Sequence, residues 1–296
     1  MIEIKVPAST ANLGPGFDTL GAALNLYNSF FLEESGDSLI ITGCPKEFSD
    51  ENNLVIKAMK YTANKYHKLL PAGIKLHIDS QVPLSRGLGS SSTCIVAGVF
   101  AAAELLKLPL TREDILIIAS EIEGHPDNVA PAILGGIVTA TYKDCNIYYD
   151  NIPLSKDIKF IALIPEFELS TALSRSVLPH TVERSDGIFN INRVSLLIAA
   201  LATGKLENLP VACEDRLHQP YRAKLIPDYE PVVKKCWEYN ASAVFLSGAG
   251  PTILVLVPQE NNDFIKSINS YLITLNNKWQ SSELYIDFQG TQINRK

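Results

Sequence analysis

The chain has 296 residues, of which 46% are hydrophobic and 20% charged, and its formal net charge is −6. This composition excludes a disordered, collagen-like or low-complexity protein. The mild acidity predicts no nucleic acid and no membrane surface as a partner. The five cysteines show no metal-ligand or disulfide spacing, and the sequence contains neither an apolar signal segment nor a run long enough to span a membrane. We therefore expect a soluble, cytoplasmic protein.

The hydrophobic periodicity predicts an α+β chain of two halves. In chain order, the first half is predicted to have strands at 2–6, 25–33, 38–42, 75–78, 137–142 and 146–149, and helices at 53–66, 92–106 and 111–123. The second half is predicted to have strands at 159–164, 242–246, 253–257 and 283–288, with helices at 189–203 and 263–275 and two more before Tyr239. With the middle helices treated as an insertion, the second half has the ferredoxin-like order. We place a boundary near residue 150, which gives predicted domains at 1–150 and 151–296.

The strongest functional signal is the segment Pro83 to Thr93, PLSRGLGSSST, between a predicted strand and an Ala-rich helix. Gly87 and Gly89 allow a tight turn and close approach of a ligand to the backbone. The serines that follow lie at the start of the helix, where free backbone N–H groups and the helix dipole favour phosphate. The loop has no Walker lysine, so it predicts a different phosphate cradle. The structural alternative is a glycine turn with a serine cap.

Three further segments carry polar groups at strand or helix ends. In VPASTANLGPGFDTLG (6–21), Asn12 and Asp18 can orient a polar ligand, or else stabilise an irregular turn. In EIEGHPDNVAP (121–131), Glu123 is suited to Mg²⁺, while His125 is either a catalytic group or a helix cap. SGAGPT (247–252) is by itself a hairpin turn.

Together the segments VPASTANLGPGFDTLG, PLSRGLGSSST and EGHPDNVAP resemble the GHMP kinases over nearly the full chain. The resemblance is strongest to the branch of that family that phosphorylates L-homoserine. It implies a ribosomal-S5-domain-2-like N-terminal half and a ferredoxin-like C-terminal half. It also implies transfer of the ATP γ-phosphate, with Mg²⁺, to the side-chain hydroxyl of L-homoserine in threonine biosynthesis, and a homodimer is plausible from it.

The resemblance also assigns roles to particular residues. It implies that ATP contacts Asn53, near adenine, and the loop residues Pro83, Leu84, Ser85, Arg86, Gly87, Leu88, Gly89, Ser90, Ser91, Ser92 and Thr93. Ser91 and Glu123 would hold the metal, with Glu121 as the alternative carboxylate. The substrate would contact Asn12, Asp18, Asn128, Thr171, Arg175 and Arg222. Asn128, His125 and Glu123 form the implied catalytic group.

The chemistry of the two arginines agrees with an amino-acid substrate. A guanidinium group binds a carboxylate through two hydrogen bonds, so Arg175 and Arg222 beside Asp18 would form a clamp for a zwitterion. The alternative for each arginine is a solvated surface charge.

The identity of the general base stays open. Asn128 cannot accept a proton at neutral pH, so either the γ-phosphate takes the hydroxyl proton, which we favour, or His125 takes it through a water. Two other functions also remain: a kinase of a mevalonate-like alcohol, for which Asp18 would have no cation to meet, and a non-catalytic ligand sensor of the same fold.

Overall fold

Two β-sheets organise residues 1–155 and 158–295, which are the residues that this computed structural model describes. Three residues of the second predicted domain, Lys156, Asp157 and Lys296, lie outside them. The strands of the first half are β1 (Ile2–Ala11), β2 (Leu20–Glu34), β3 (Leu39–Thr42), β4 (Ile74–Ser80), β5 (Ile137–Lys143) and β6 (Asn146–Ile152). The second half contributes β7 (Ile158–Pro165), β8 (Ala243–Leu246), β9 (Ile253–Pro258), β10 (Trp279–Leu284) and β11 (Gln292–Arg295).

The first sheet is covered on one face by helices. Its strand order is β11-β1-β2-β4-β3, and β5 joins β2 to β6. The alternation of β1 directs Ile4 and Val6 into a core that they share with Phe30 of β2. The helices of that core are α1 (Leu54–Lys65), α2 (Ser90–Leu105), α3 (Arg112–Glu123) and α4 (Val129–Leu134).

Helix α2 is the central helix of this layer, and its small residues let its neighbours approach closely. A Cβ at Gly98 would lie 2.4 Å from the Val55 carbonyl oxygen of α1. Helix α3 begins with a capping box, in which the Thr111 side chain accepts from the Asp114 N–H and the Asp114 carboxylate accepts from the Thr111 N–H. Helix α2 begins at Ser90, two residues before its predicted start.

The second sheet confirms the ferredoxin-like prediction. Its order is β10-β7-β9-β8 and every pairing is antiparallel. The helices of this half are α5 (Thr171–Ser176), α6 (Arg184–Thr203), α7 (Leu209–Ala212), α8 (Gln219–Arg222), α9 (Tyr229–Glu238) and α10 (Phe264–Leu272). Helices α9 and α10 are the two helices of the ferredoxin-like unit, and α5 to α8 are inserted after β7.

The end of the chain differs from the prediction. The last strand of the second sheet is Trp279–Leu284 and not 283–288, because pairing with β7 buries Trp279 and Leu284 at its two ends. The chain then crosses to the first sheet, where Tyr285 N–H donates to Asn25 Oδ1 at 2.7 Å and β11 pairs with β1. The last strand, Gln292–Arg295, therefore lies in the first sheet although it follows the second sheet in the chain.

The two halves also share a core. One buried cluster joins Ala8 and Leu24 of the first sheet to Phe160 and Leu254 of the second and to Leu201 of α6. This packing holds the halves together and places the end of β1, the start of α2 and helices α5 and α8 around one cleft.

Candidate active site

The cleft between the halves has a volume of about 710 Å³, within the usual range for small-molecule sites. Its lining includes most of the residues that the sequence singled out: Asn12, Asp18, Asn53, Leu84, Ser85, Arg86, Gly87, Gly89, Ser90, Ser91, Ser92, Glu123, His125, Asn128, Thr171, Arg175 and Arg222. Six distant stretches of the chain therefore meet in one cleft.

The glycine loop between β4 and α2 can be built only with glycine at two positions. Gly87 and Gly89 have φ angles of 77° and 73°, in the left-handed region. A Cβ at Gly87 would lie 2.3 Å from the Ser247 carbonyl oxygen, and one at Gly89 would lie 2.2 Å from Ser9 Oγ. These contacts fix the loop so that the first turn of α2, Ser90 to Ser92, borders the cleft with its free N–H groups.

Three predicted ATP contacts lie outside the cleft lining. Leu88 is fully buried in the core shared by the halves. The Thr93 hydroxyl is buried, donates to the Ser90 carbonyl and accepts from Asn28 Nδ2. Pro83 precedes the lining residues of the loop. The side chains of Leu88 and Thr93 therefore pack into the protein, and none of the three residues lines the cleft.

The carboxylate beside the serine turn is Glu123. Ser92 Oγ donates to Glu123 Oε1 at 3.0 Å, while Ser91, the serine predicted to hold the metal, is exposed at the cleft. The alternative carboxylate, Glu121, accepts from Lys65, Tyr61 and Tyr142 and does not line the cleft. Burial raises the pKa of Glu123 more than the charge of His125 and the hydrogen bond from Ser92 lower it.

His125 forms a pair with Asp127, a residue that the sequence reasoning did not single out. His125 Nδ1 is hydrogen-bonded to Asp127 Oδ1, and Asp127 is almost fully buried. Burial lowers the pKa of His125, but the hydrogen bond and negative charge of Asp127 outweigh this and raise it overall. One ligand atom each from Asp18, His125 and Asp127 lies within 4.8 Å of the others.

The two asparagines predicted to contact the substrate, Asn12 and Asn128, differ in how many of their amide atoms remain available to a ligand. Asn12 Nδ2 donates to the Gly248 carbonyl oxygen at 2.9 Å, and Asn12 Oδ1 accepts from the Asp18 N–H at 3.0 Å. Asn12 therefore joins the two halves and holds Asp18 in place. Asn128 Oδ1 accepts from Ser9 Oγ at 2.9 Å, and the residue lines the cleft.

Arg175 and Arg222 converge, as the clamp requires. The guanidinium carbons of Arg175 and Arg222 lie 5.7 and 5.1 Å from the centre of the Phe17 ring. Arg175 makes two hydrogen bonds to Asp18, at 2.8 and 3.1 Å, so the clamp's acid and base are paired with each other in this structure.

Arg222 is buried, which contradicts its alternative as a solvated surface charge. Its Nε donates to the Ser174 carbonyl oxygen and its Nη1 to that of Gly248. Burial and the nearby charge of Arg175 lower its pKa to about 10. The cation is thus held by backbone carbonyls at the edge of the cleft, where an anion would be a stronger partner.

Two other predicted residues have side chains with local roles. Asn53 Oδ1 accepts from the Val55 N–H as the cap of α1, and its Nδ2 donates to the Phe48 carbonyl oxygen. Thr171 is exposed at the first position of α5, within reach of the cleft. The amide of Asn53 is therefore committed to the protein, although the residue borders the cleft.

The turn Ser247–Thr252 does more than connect two strands. Ser247 Oγ lies 2.6 Å from the Gly87 carbonyl oxygen and 2.9 Å from Thr10 Oγ1, and the Gly248 N–H donates to the Ala11 carbonyl oxygen. The turn therefore links the glycine loop between β4 and α2 to the end of β1. The sequence signal was its glycine content, but its partners lie more than 150 residues away along the chain.

The ferredoxin-like second half and the glycine loop between β4 and α2 are typical of one class of small-molecule kinase. Two family models that match the chain identify that class. The model of the GHMP kinases N-terminal domain matches residues 53–136, and that of the GHMP kinases C-terminal domain matches residues 197–273. The chain belongs to the GHMP kinase family.

The relatives within the family agree in name. The chain is 48% identical to homoserine kinase of Clostridium botulinum (strain Okra / Type B1) over 296 residues, which cover 100% of this chain and 99% of the relative. It is 46% identical to homoserine kinase of Clostridium beijerinckii over 299 residues, covering 99% and 98%. The crystal structure of homoserine kinase from Cytophaga hutchinsonii superimposes with a TM-score of 0.87 at 28% identity, covering 99% and 97%. Among the described residues, no helix has the length and apolar character to span a membrane.

Proposed function

We propose that this chain catalyses the ATP-dependent phosphorylation of the side-chain hydroxyl of L-homoserine, giving O-phospho-L-homoserine for threonine biosynthesis. The full-length relatives at 46–48% identity, all named homoserine kinase, support this assignment. The structural observation that carries it is the convergence of Asp18, Arg175 and Arg222 beside the loop that ends at Ser90. The Asp18 carboxylate can bind the ammonium group of an amino acid, and the two guanidinium groups can bind its carboxylate, so this arrangement is suited to an amino-acid substrate.

ATP is the phosphoryl donor that the family implies, and the loop offers its triphosphate the amide groups at the start of α2. Positive helix potential and free N–H groups favour phosphate oxygens there. Mg²⁺ is the metal we propose. The Glu123 carboxylate and the Ser92 hydroxyl are hard oxygen donors in contact with each other at this helix terminus, which is the donor set that Mg²⁺ accepts together with phosphate oxygens. When bound, the ion would neutralise charge on the phosphates.

Positioning and charge neutralisation supply most of the catalysis in phosphoryl transfer. The hydroxyl oxygen of the substrate attacks the γ-phosphorus, and the bond to the bridging oxygen of ADP breaks. We propose that the hydroxyl proton passes to a γ-phosphate oxygen. His125 is paired through Nδ1 with Asp127, whose hydrogen bond and negative charge raise its pKa and so favour the protonated imidazolium, which cannot accept a proton.

The mevalonate-like and sensor alternatives have less support in the cleft. A mevalonate-like acid offers no cation for Asp18, which would then stay paired with Arg175. A sensor has no need of the Glu123–Ser92 pair at the phosphate loop.

The deciding experiment measures ADP release with L-homoserine, with 4-hydroxybutyrate (its deaminated analogue) and with mevalonate. We expect turnover with homoserine and at least tenfold lower kcat/KM with the deaminated analogue, because one charge-assisted hydrogen bond is worth about 1.5–3 kcal/mol. Equal turnover of homoserine and 4-hydroxybutyrate would reject the zwitterion clamp. The absence of any ATP consumption would favour the sensor.

A further inference from the structure

Ser9 lies between the phosphate loop and Asn128, and it contacts both. The residue is fully buried near the end of β1. Its N–H donates to the Leu88 carbonyl oxygen at 3.2 Å, and its Oγ lies 2.9 Å from Asn128 Oδ1. Gly89 packs so closely against it that no side chain larger than hydrogen fits between them. One small side chain thus joins the two parts of the site that must meet during transfer.

The local structure of Asn128 shows that this contact replaces a more common one. Asn128 is the N-cap residue of α4, a position where the asparagine oxygen usually accepts an N–H of its own helix. Here the side chain makes no such bond, and its oxygen faces Ser9 instead. Within residues 1–155 and 158–295, no hydrogen-bond acceptor is found for Asn128 Nδ2, and the residue lines the cleft.

We propose that Ser9 is a positioning residue that holds the Asn128 amide with its oxygen inward and its NH₂ group toward the acceptor hydroxyl. An amide fixed this way can donate to one lone pair of the hydroxyl oxygen and so orient the other toward the γ-phosphate. It cannot take the hydroxyl proton. The inference rests on the proposed kinase function and adds to it the direction of this amide and the residue that sets it.

The test is Ser9→Ala, which removes the hydroxyl and leaves the backbone bond to Leu88 intact. We expect kcat with homoserine to fall about tenfold, the usual effect of losing one hydrogen bond, and KM for ATP to stay within about twofold. Ser120→Ala is the matched control, because Ser120 is also buried but its hydroxyl has no partner among the described residues and lies outside the site.

A double-mutant cycle with Asn128→Ala separates positioning from a general structural effect. If Ser9 acts through Asn128, Ser9→Ala has little further effect on kcat once Asn128 is alanine. Independent, multiplicative losses in kcat would overturn the inference, and so would an unchanged kcat in Ser9→Ala. A fall in kcat accompanied by a lower melting temperature and a higher KM for ATP would also overturn it, because it would indicate a general structural effect.

Asn128→Asp tests the amide direction and does not depend on the stability of Ser9→Ala. Aspartate keeps an acceptor for Ser9 and loses the donor toward the cleft, so we expect at least a tenfold loss in kcat with unchanged thermal stability. Activity equal to or above that of the wild type would show that no donor is needed at this position, and would overturn the inference. If the wild type itself fails to phosphorylate homoserine, the proposed function is wrong, whereas an active wild type with these contrary results refutes only the role of Ser9.

Discussion

Replacing each clamp arginine by methionine gives two different expected outcomes, because the two residues are held differently. Arg175 is bound to Asp18, and both side chains are more than one-third exposed (38% and 34%). An ion pair this exposed contributes at most about 1 kcal/mol to stability. Arg222 is buried and binds the carbonyl oxygens of Ser174 and Gly248.

The magnitudes follow from those partners. If the proposed clamp is right, either substitution removes charge-assisted hydrogen bonds to the substrate carboxylate, worth about 1.5–3 kcal/mol, or about ten- to a hundredfold in KM for homoserine. In Arg222→Met the Gly248 oxygen keeps its bond from Asn12, but the Ser174 oxygen loses the guanidinium. One buried carbonyl without a partner costs about 1–3 kcal/mol, and each kcal/mol lowers the melting temperature of a chain of this size by about 2–4 °C.

The assay therefore pairs steady-state kinetics with thermal unfolding. Arg175→Met should lose homoserine recognition with a melting temperature close to that of the wild type, and Arg222→Met should lose both. KM for ATP should barely change in either. Arg216→Met serves as control, because Arg216 pairs with Asp186 outside the cleft. If Arg222→Met binds homoserine as tightly as the wild type, the clamp is wrong at that position.

Three further predictions concern the loop, the metal and pH. Gly87→Ala should abolish ATP binding because its Cβ would meet the Ser247 carbonyl, whereas Gly36→Ala, in open space, should cost only backbone strain; equal ATP affinities would contradict this. Glu123→Gln should lower the apparent affinity for Mg²⁺ at least about tenfold in a magnesium titration, with Glu121→Gln unchanged as control. The raised pKa of His125 stabilises the fold below its unfolded value near 6.5 and ceases to do so as pH rises through the folded pKa. The stability lost in His125→Gln should thus be larger at pH 6 than at pH 9 by urea unfolding, and a pH-independent difference would refute it. In turnover, a loss of many orders of magnitude in His125→Gln would refute transfer of the proton to phosphate.

The local patterns predicted the elements around the site well, because each motif has a short-range physical cause. The capping box of α3 and the glycine turn before α2 depend on residues within a few positions of each other. The prediction for the end of the chain was wrong because its strands are decided by long-range pairing. Residues 283–288 alternate like a strand, but pairing of 279–284 with β7 and of 292–295 with β1 decides the register. Such pairing depends on strands far away in sequence.

The contacts within the site show the same division. Sequence reasoning assigned Glu123, Arg175 and Arg222 to one site, and all three line the cleft, but it did not predict the hydrogen bond between Ser92 and Glu123. It also missed Asp127, although this residue lies in the motif EGHPDNVAP, between His125 and Asn128. The burial of this carboxylate beside His125 depends on tertiary packing, which hydrophobic periodicity does not predict.

The acceptor site takes its groups from both halves of the chain, so its geometry depends on how firmly the halves are joined. Asn12 Oδ1 accepts from the Asp18 N–H, and Asn12 Nδ2 donates to the Gly248 carbonyl oxygen. The same carbonyl oxygen also accepts from Arg222. Asp18 and Arg222 are therefore connected through the protein by three hydrogen bonds, two of which share the Gly248 oxygen, before any substrate arrives. A site held in this way spends less binding free energy on ordering its own side chains, and more remains for orienting the hydroxyl toward the phosphate. The hydrogen bonds at Gly248 are buried, unlike the half-exposed ion pair between Asp18 and Arg175, so they are the more rigid of the two links around the proposed clamp.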